Sequence, residues 1–194
     1  MSKKILVIQG HPDGSKRHYC HALADAYAEG AERAGHQVQR LNVASCDVPI
    51  IRSPEEWATP PTGDMAEAQG LIAWADHLVF IYPLWMGGMP ALLRAFLEQV
   101  ARGGFAIREV EGGKRWEQGL KGKSARIVVT MGMPGQVYRW FFGAHSLKAF
   151  ERNILKFAGV DPVRDTVIGL VEALGDDKRE KIVEEMRKLG ARAE

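Results

Sequence analysis

Three glycine-bearing stretches, each just after an apolar run, hold most of the side chains in this 194-residue sequence that could act together. The first is Gly10-His11-Pro12-Asp13-Gly14-Ser15-Lys16, followed at once by a helical pattern. A helix N-terminus presents unpaired N–H groups and a favourable dipole, so this loop suits an anion. Ser15 can cap or donate there, and Lys16 or Arg17 can neutralise charge. Neither Gly-x-x-x-x-Gly-Lys-Ser/Thr nor Gly-x-Gly-x-x-Gly occurs, which disfavours a nucleoside triphosphatase or an ordinary dinucleotide dehydrogenase. A plain helix cap with solvated lysine explains the loop equally well.

The second stretch is Tyr82-Pro83-Leu84-Trp85-Met86-Gly87-Gly88-Met89-Pro90. Its glycines let backbone approach a flat ligand, and Trp85 and Met86 offer a stacking wall. Core packing or a subunit interface accounts for the same residues. The third runs from Thr130-Met131-Gly132-Met133-Pro134-Gly135 into Gln136–His145, an aromatic cluster that includes Tyr138, Arg139 and His145. Each of these aromatics alone reads more readily as packing than as chemistry. Together, one anion-friendly helix start, one apolar loop and one glycine-aromatic loop match the needs of a flavin nucleotide's phosphate and ring.

The elements that must position these loops follow from apolar periodicity. Strands are expected at Lys4–Gln9, Gln37–Val43, His77–Tyr82, Ala125–Thr130 and Val163–Ile168, all short apolar runs of the kind buried in a parallel sheet. Helical spacing marks Cys20 to Ala34, with Gly35 at its end, then Asp64 to Ala75, Leu93 to Val100, Ser146 to Ala158 and Asp176 to Leu189. Ser45 to Gly63, with Pro49, Pro54, Pro60 and Pro61, reads as loop. Arg102 to Lys123, with six glycines, reads as an excursion holding at most a hairpin. Strands alternating with helices predict one α/β domain spanning 1–194. Its five-stranded parallel sheet, of order 2-1-3-4-5, carries helices on both faces. Ligands then sit beyond the carboxyl ends of the strands, where the three loops meet.

Composition excludes other classes. With 26% charged residues and a net charge of +2 there is no basic stripe for nucleic acid. The uncharged stretch from His77 to Leu93 is broken by proline and glycine and is shorter than the ~20 apolar residues a spanning helix needs. The N-terminal apolar run is too brief for a signal-peptide core. Cys20 and Cys46 read as reduced thiols of a cytoplasmic protein. His11, His18, His21 and Asp13 raise a metal site, but solvated or satisfied histidines explain them and no further ligand is evident. Cys20 and His21, adjacent on a helix, point about 100° apart and make no nucleophile–base pair.

The chain resembles the flavodoxin-like NAD(P)H dehydrogenase (quinone) family from Ile5 to about Val171. Gly10-His11-Pro12 with Ser15, the Pro83-Leu84-Trp85…Pro90 segment and Thr130-Met131-Gly132 carry the likeness. The resemblance implies a bound flavin, FMN in preference to FAD, with NAD(P)H as hydride donor and a quinone reduced by two electrons in a ping-pong cycle. It implies that His11, Ser15, Arg17 and His18 line the phosphate end. Pro83, Leu84, Trp85, Met86, Thr130, Met131 and Gly132 are implied to lie along the ring. Tyr138 and His145 match in type the tyrosine and histidine that handle protons. A homodimer is also implied. Some relatives are flavin-binding ancillary subunits of potassium-efflux systems, which keeps a regulatory role as the alternative.

Overall fold

The computed structural model describes residues 2–110, 112 and 114–194. Residues 1, 111 and 113, the first at the start of the N-terminal run and the others within the expected hairpin, lie outside the described residues. Every strand expected from sequence forms: β1 Lys4–Gln9, β2 Gln37–Asn42, β3 His77–Pro83, β6 Ser124–Thr130 and β7 Val163–Ile168. Between β3 and β6, β4 Ile107–Val110 and β5 Arg115–Gln118 pair antiparallel as a hairpin within the excursion. The main sheet is parallel throughout and ordered β2-β1-β3-β6-β7. Counting only its own strands, this is the order 2-1-3-4-5.

Parallel strands buried on both faces need apolar residues at every position, not at alternate ones. β1 and β3 meet that demand: Ile5 to Ile8 and Leu78 to Tyr82 are all buried. Alternation then sorts them by face. Leu6, Ile8, Phe80, Tyr82, Ile127 and Val129 enter a core beneath α3 Asp64–Trp74 and α4 Ala91–Ala101. Ile5, Val7, Val79, Ile81 and Val128 face α1 Tyr19–Arg33 and α7 Asp176–Arg192. Those two helices touch backbone to backbone. A Cβ on Gly30 would stand 2.0 Å from the Arg187 carbonyl oxygen, and one on Gly190 would stand 2.0 Å from that of Tyr27. Reciprocal glycines therefore set the crossing.

Three departures from the expected elements have local causes. Within the proline-rich segment, α2 Pro54–Ala58 forms one turn because the Ser53 hydroxyl accepts from Glu56 N–H (3.2 Å) and proline occupies the first helical position. The third loop winds into α5 Gly135–Trp140, which Tyr138 anchors in the core. The helix expected at Ser146–Ala158 divides into α6 His145–Ala149 and a π-helical stretch, Phe150–Lys156, that buries Phe150 and Leu155.

Candidate active site

Backbone hydrogen bonds bring the three loops to one end of the sheet. Gly10 N–H donates to Ile81 O (2.8 Å), Leu84 N–H to Thr130 O (2.7 Å) and Met131 N–H to Ile168 O (2.9 Å). The loops after β1, β3 and β6 thus sit side by side at the switch point of the strand order.

The first loop is built around Asp13. Its Oδ1 accepts from Ser15 N–H (2.8 Å) and from the Ser15 hydroxyl (2.5 Å), and its Oδ2 lies 2.7 Å from His18 Nε2. The Ser15 hydroxyl, then His18, hold the Asp13 carboxyl well below the usual carboxylate range. Asp13 is thus an anion that organises the loop's donors. Ser15 spends its hydroxyl proton on Asp13, so in this arrangement it offers lone pairs and no donor. Arg17 turns away from the loop and pairs with Asp25, which also pairs with Arg40 (3.0 Å).

Three imidazoles gather over this loop. His11 is buried and stacks on His18 with ring centroids 3.8 Å apart and planes 16° apart, and His21 lies 5.8 Å from His11. Face-to-face stacking directs the His11 and His18 nitrogens along nearly parallel planes, an arrangement unlike converging metal ligands. His11 Nδ1 accepts from Asp13 N–H (3.1 Å) and His21 Nδ1 from His18 N–H (3.1 Å). Burial lowers the pKa of both, and repulsion from His18 adds to it. Each is therefore neutral at pH 7 with its proton on Nε2, a donor free for an anion. The first-turn N–H groups of α1, at Tyr19 and Cys20, have no intrahelical acceptor and add to this donor set.

The second loop closes on itself. Trp85 and Gly88 exchange N–H···O bonds of 2.9 Å, and both residues between them have positive φ, Met86 at 48° and Gly87 at 79°. That is the requirement of a type I′ turn, which suits Gly87 and costs Met86 of order 1–2 kcal/mol. The strain leaves Met86 fully exposed and Trp85 50% exposed. The Trp85 ring meets His11 edge-on with centroids 5.9 Å apart. Pro83 and Leu84, both half-buried, lead into this wall.

In the third loop the side chains of Thr130 and Met131 turn inward. Thr130 Oγ1 lies 3.2 Å from Cys20 Sγ, and Met131 is buried in the core. Both can present only backbone to a ligand. Burial pushes the Cys20 thiol up to about 11, consistent with an inert packing residue. A Cβ on Gly132 would meet nothing within 4 Å, so the crevice stays open there. Tyr138 is not at the crevice. It is 3% exposed, its hydroxyl accepts from Leu147 N–H (3.2 Å) and lies 2.8 Å from Ser146 Oγ, and it thereby caps α6. His145, the first residue of α6, is exposed.

The structure therefore joins His11 and His18 to Trp85 and Met86. Thr130 and Met131 contribute backbone, while Arg17 and the Tyr138 hydroxyl are directed elsewhere. Sequence reasoning passed over Asp13 and His21 as organisers of this end, although the Asp13–Ser15 spacing and the His18–His21 three-residue step were both visible. The residues fit a flavin mononucleotide: neutral donors and a helix start for the phosphate, an exposed indole for the ring, and an open glycine between them.

Comparison with known proteins agrees with this geometry. A family model described as flavodoxin-like fold matches residues 3–193. A Haemophilus influenzae protein named as an uncharacterized NAD(P)H oxidoreductase is 27% identical over 92% of this chain and 90% of its own length. An FMN-dependent NADH:quinone oxidoreductase of Bacillus cereus is 27% identical over 88% of this chain and 87% of its own. The solved NAD(P)H:quinone oxidoreductase of Methanothermobacter marburgensis shares the fold, with a TM-score of 0.82 over 100% of both chains at 22% identity. On the match of nearly its whole length, the chain belongs to the flavodoxin-like fold family, in company with relatives named as NAD(P)H and quinone oxidoreductases.

Proposed function

We propose that this protein is an FMN-dependent NAD(P)H oxidoreductase that reduces quinone-type acceptors. The observation that carries the reading is the contact of Trp85 with His11. It joins a half-exposed indole wall to a cluster of imidazole donors, and a flat ring tethered to a phosphate needs both at that separation. When bound, the flavin supplies a two-electron carrier between a nicotinamide and a quinone.

His11 and His21 donate through Nε2 to the phosphate, and His18 is held in place by Asp13. Trp85 and Met86 stack, while Pro83, Leu84, Thr130, Met131 and Gly132 line the ring with backbone and small surface. His145, exposed at the first turn of α6, is the proton carrier of the pair expected from sequence. Tyr138 acts as a positioning residue that holds the start of α6, and with it His145. An open crevice with one stacking wall admits donor and acceptor in turn, which supports a ping-pong order. Exposed Trp140, Phe141 and Phe142, at 86%, 82% and 50%, supply apolar surface for a homodimer beside the site.

The test is to purify the protein, release its cofactor by denaturation and identify it, then follow NAD(P)H oxidation with menadione. Bound FMN and parallel double-reciprocal plots are expected. A protein that neither carries nor takes up flavin, or that holds flavin without turnover, overturns the reading.

A further inference from the structure

A polar cavity of about 290 Å³ lies at the opposite end of the sheet from the three loops. Its wall is formed by Lys3 just before β1, His77 at the start of β3, Ser124 at the start of β6, Arg164 in β7 and Arg192 at the end of α7. All of these sit at the amino ends of parallel strands or beside them. The proposed flavin chemistry uses none of them.

Two features set this cavity apart from an ordinary basic surface. His77 is 2% exposed, and its Nε2 is buried with no hydrogen-bond partner. Its Nδ1 is engaged with Ser124 Oγ at 2.7 Å. When the serine hydroxyl donates to Nδ1, the proton sits on Nε2, so a residue that lines the cavity carries a buried donor that no protein acceptor meets. A buried imidazole nitrogen without a partner carries a desolvation cost that a bound acceptor would remove.

Charge is the second feature. Lys3, Arg126 and Arg164 all act on His77 electrostatically, and Arg192 lines the same cavity. The facing anion is Glu194, whose carboxylate lies 3.3 Å from both Arg164 and Arg192. Arg192 also lies 3.7 Å from Glu185. Arg126 is held by the Glu194 backbone oxygen and, at 2.7 Å, by Thr166 Oγ1. Cations thus outnumber the carboxylates that face them. The side chains of Arg164 and Arg192 stay about half exposed, open to a further ligand.

We propose that this cavity is a binding site for a small oxyanion, a phosphate or carboxylate group, held by Arg164, Arg192, Lys3 and the His77 Nε2–H. Guanidinium forks match the planar or tetrahedral oxygens of such groups, and the lysine adds a point charge. The ligand's oxygen supplies the acceptor that the imidazole lacks.

The experiment is calorimetric titration of the flavin-loaded protein with inorganic phosphate, at constant ionic strength balanced with chloride. Loading with flavin keeps the first-loop anion site filled. If the protein takes up no flavin, the first-loop pair His11→Ala/His21→Ala serves as background instead, so failure of the proposed function does not obscure this result. Saturable binding is expected, weakened about tenfold or more by Arg164→Gln, as loss of a charge-assisted partner requires. Arg33→Gln, an exposed arginine outside the cavity, should leave binding unchanged. The His77 ring resonances should shift as phosphate saturates, and acetate in place of phosphate separates a carboxylate site from a phosphate-selective one. Arg164 is on the surface, so its variant should fold even if a His77 substitution does not. Absence of saturable binding by both anions, equal weakening by Arg33→Gln, or unmoved His77 resonances would overturn the proposal.

Discussion

Replacing Trp85 with alanine removes the wall on which the proposed ring stacks. The indole is 50% exposed, so about 100 Å² of its surface is available to a ligand. At ~25 cal/mol per Å² of apolar area taken from water, that surface contributes ~2.5 kcal/mol to flavin binding. With about 1.4 kcal/mol per decade, Trp85→Ala should weaken FMN affinity roughly 60-fold. The indole is half exposed and meets the His11 ring edge-on at 5.9 Å, so thermal stability without ligand should change little. Trp85→Phe keeps a flat apolar face and should recover most of the loss. The assay is quenching of FMN fluorescence on titration of apoprotein, with melting temperatures as control. An alanine variant whose Kd stays within about threefold of the parent would refute the placement of the second loop, because no stacking contact of this area could be so weak.

Two further outcomes follow from packing and burial. Gly30→Ala places a Cβ 2.0 Å from the Arg187 carbonyl oxygen, forcing α7 off α1. Overpacking of ~1–3 kcal/mol or more outweighs the ~1 kcal/mol of helix propensity gained, so the urea midpoint should fall, and an equal or higher midpoint would contradict the close crossing. Burial, then Lys3, Arg126, Arg164 and His36, lower the His77 pKa from 6.5 to about 3. The folded state therefore binds fewer protons than the unfolded one, and stability present above pH 6.5 is lost as pH falls towards 3. The slope approaches ~1.4 kcal/mol per pH unit for this group, with His11 and His21 acting in the same direction. Denaturation midpoints between pH 6.5 and about 4.5, above the carboxylate range, isolate the histidines. His77→Gln should flatten that limb, and an unchanged slope would show that His77 is not held neutral.

The strands were legible in the sequence because a sheet buried on both faces demands unbroken apolar runs, and Ile5–Ile8 and Leu78–Tyr82 supply them. Their order followed from the alternation with helices, and the convergence of the three loops followed from the order. Trp85 and Met86 read from sequence equally as a stacking wall and as core or interface residues, and the positive-φ turn at Met86 and Gly87 is what exposes them. The short helices were less legible. α2 depends on one serine cap among prolines, and α5 depends on Tyr138 finding the core, which no periodicity over six residues can reveal.

Only the folded chain decided where each polar group spends its hydrogen bonds. Arg17 sits beside Ser15 and His18 in sequence, yet Asp25, eight residues further on and within α1, takes its guanidinium. Tyr138 follows the third loop as a catalytic tyrosine would, but its hydroxyl completes the open N-terminus of a helix that begins seven residues later. Asp13 and His21, unremarkable as residue types, organise the imidazole cluster because the loop brings Asp13 back to His18 and the first turn of α1 sets His21 beneath the His18 N–H. The cavity around His77 gathers residues from positions 3, 77, 124, 164 and 192, which only the shared edge of a parallel sheet brings together. Apolar burial is a sum over many residues and leaves its period in the sequence. A hydrogen bond is one direction between two atoms, and it is decided by tertiary approach.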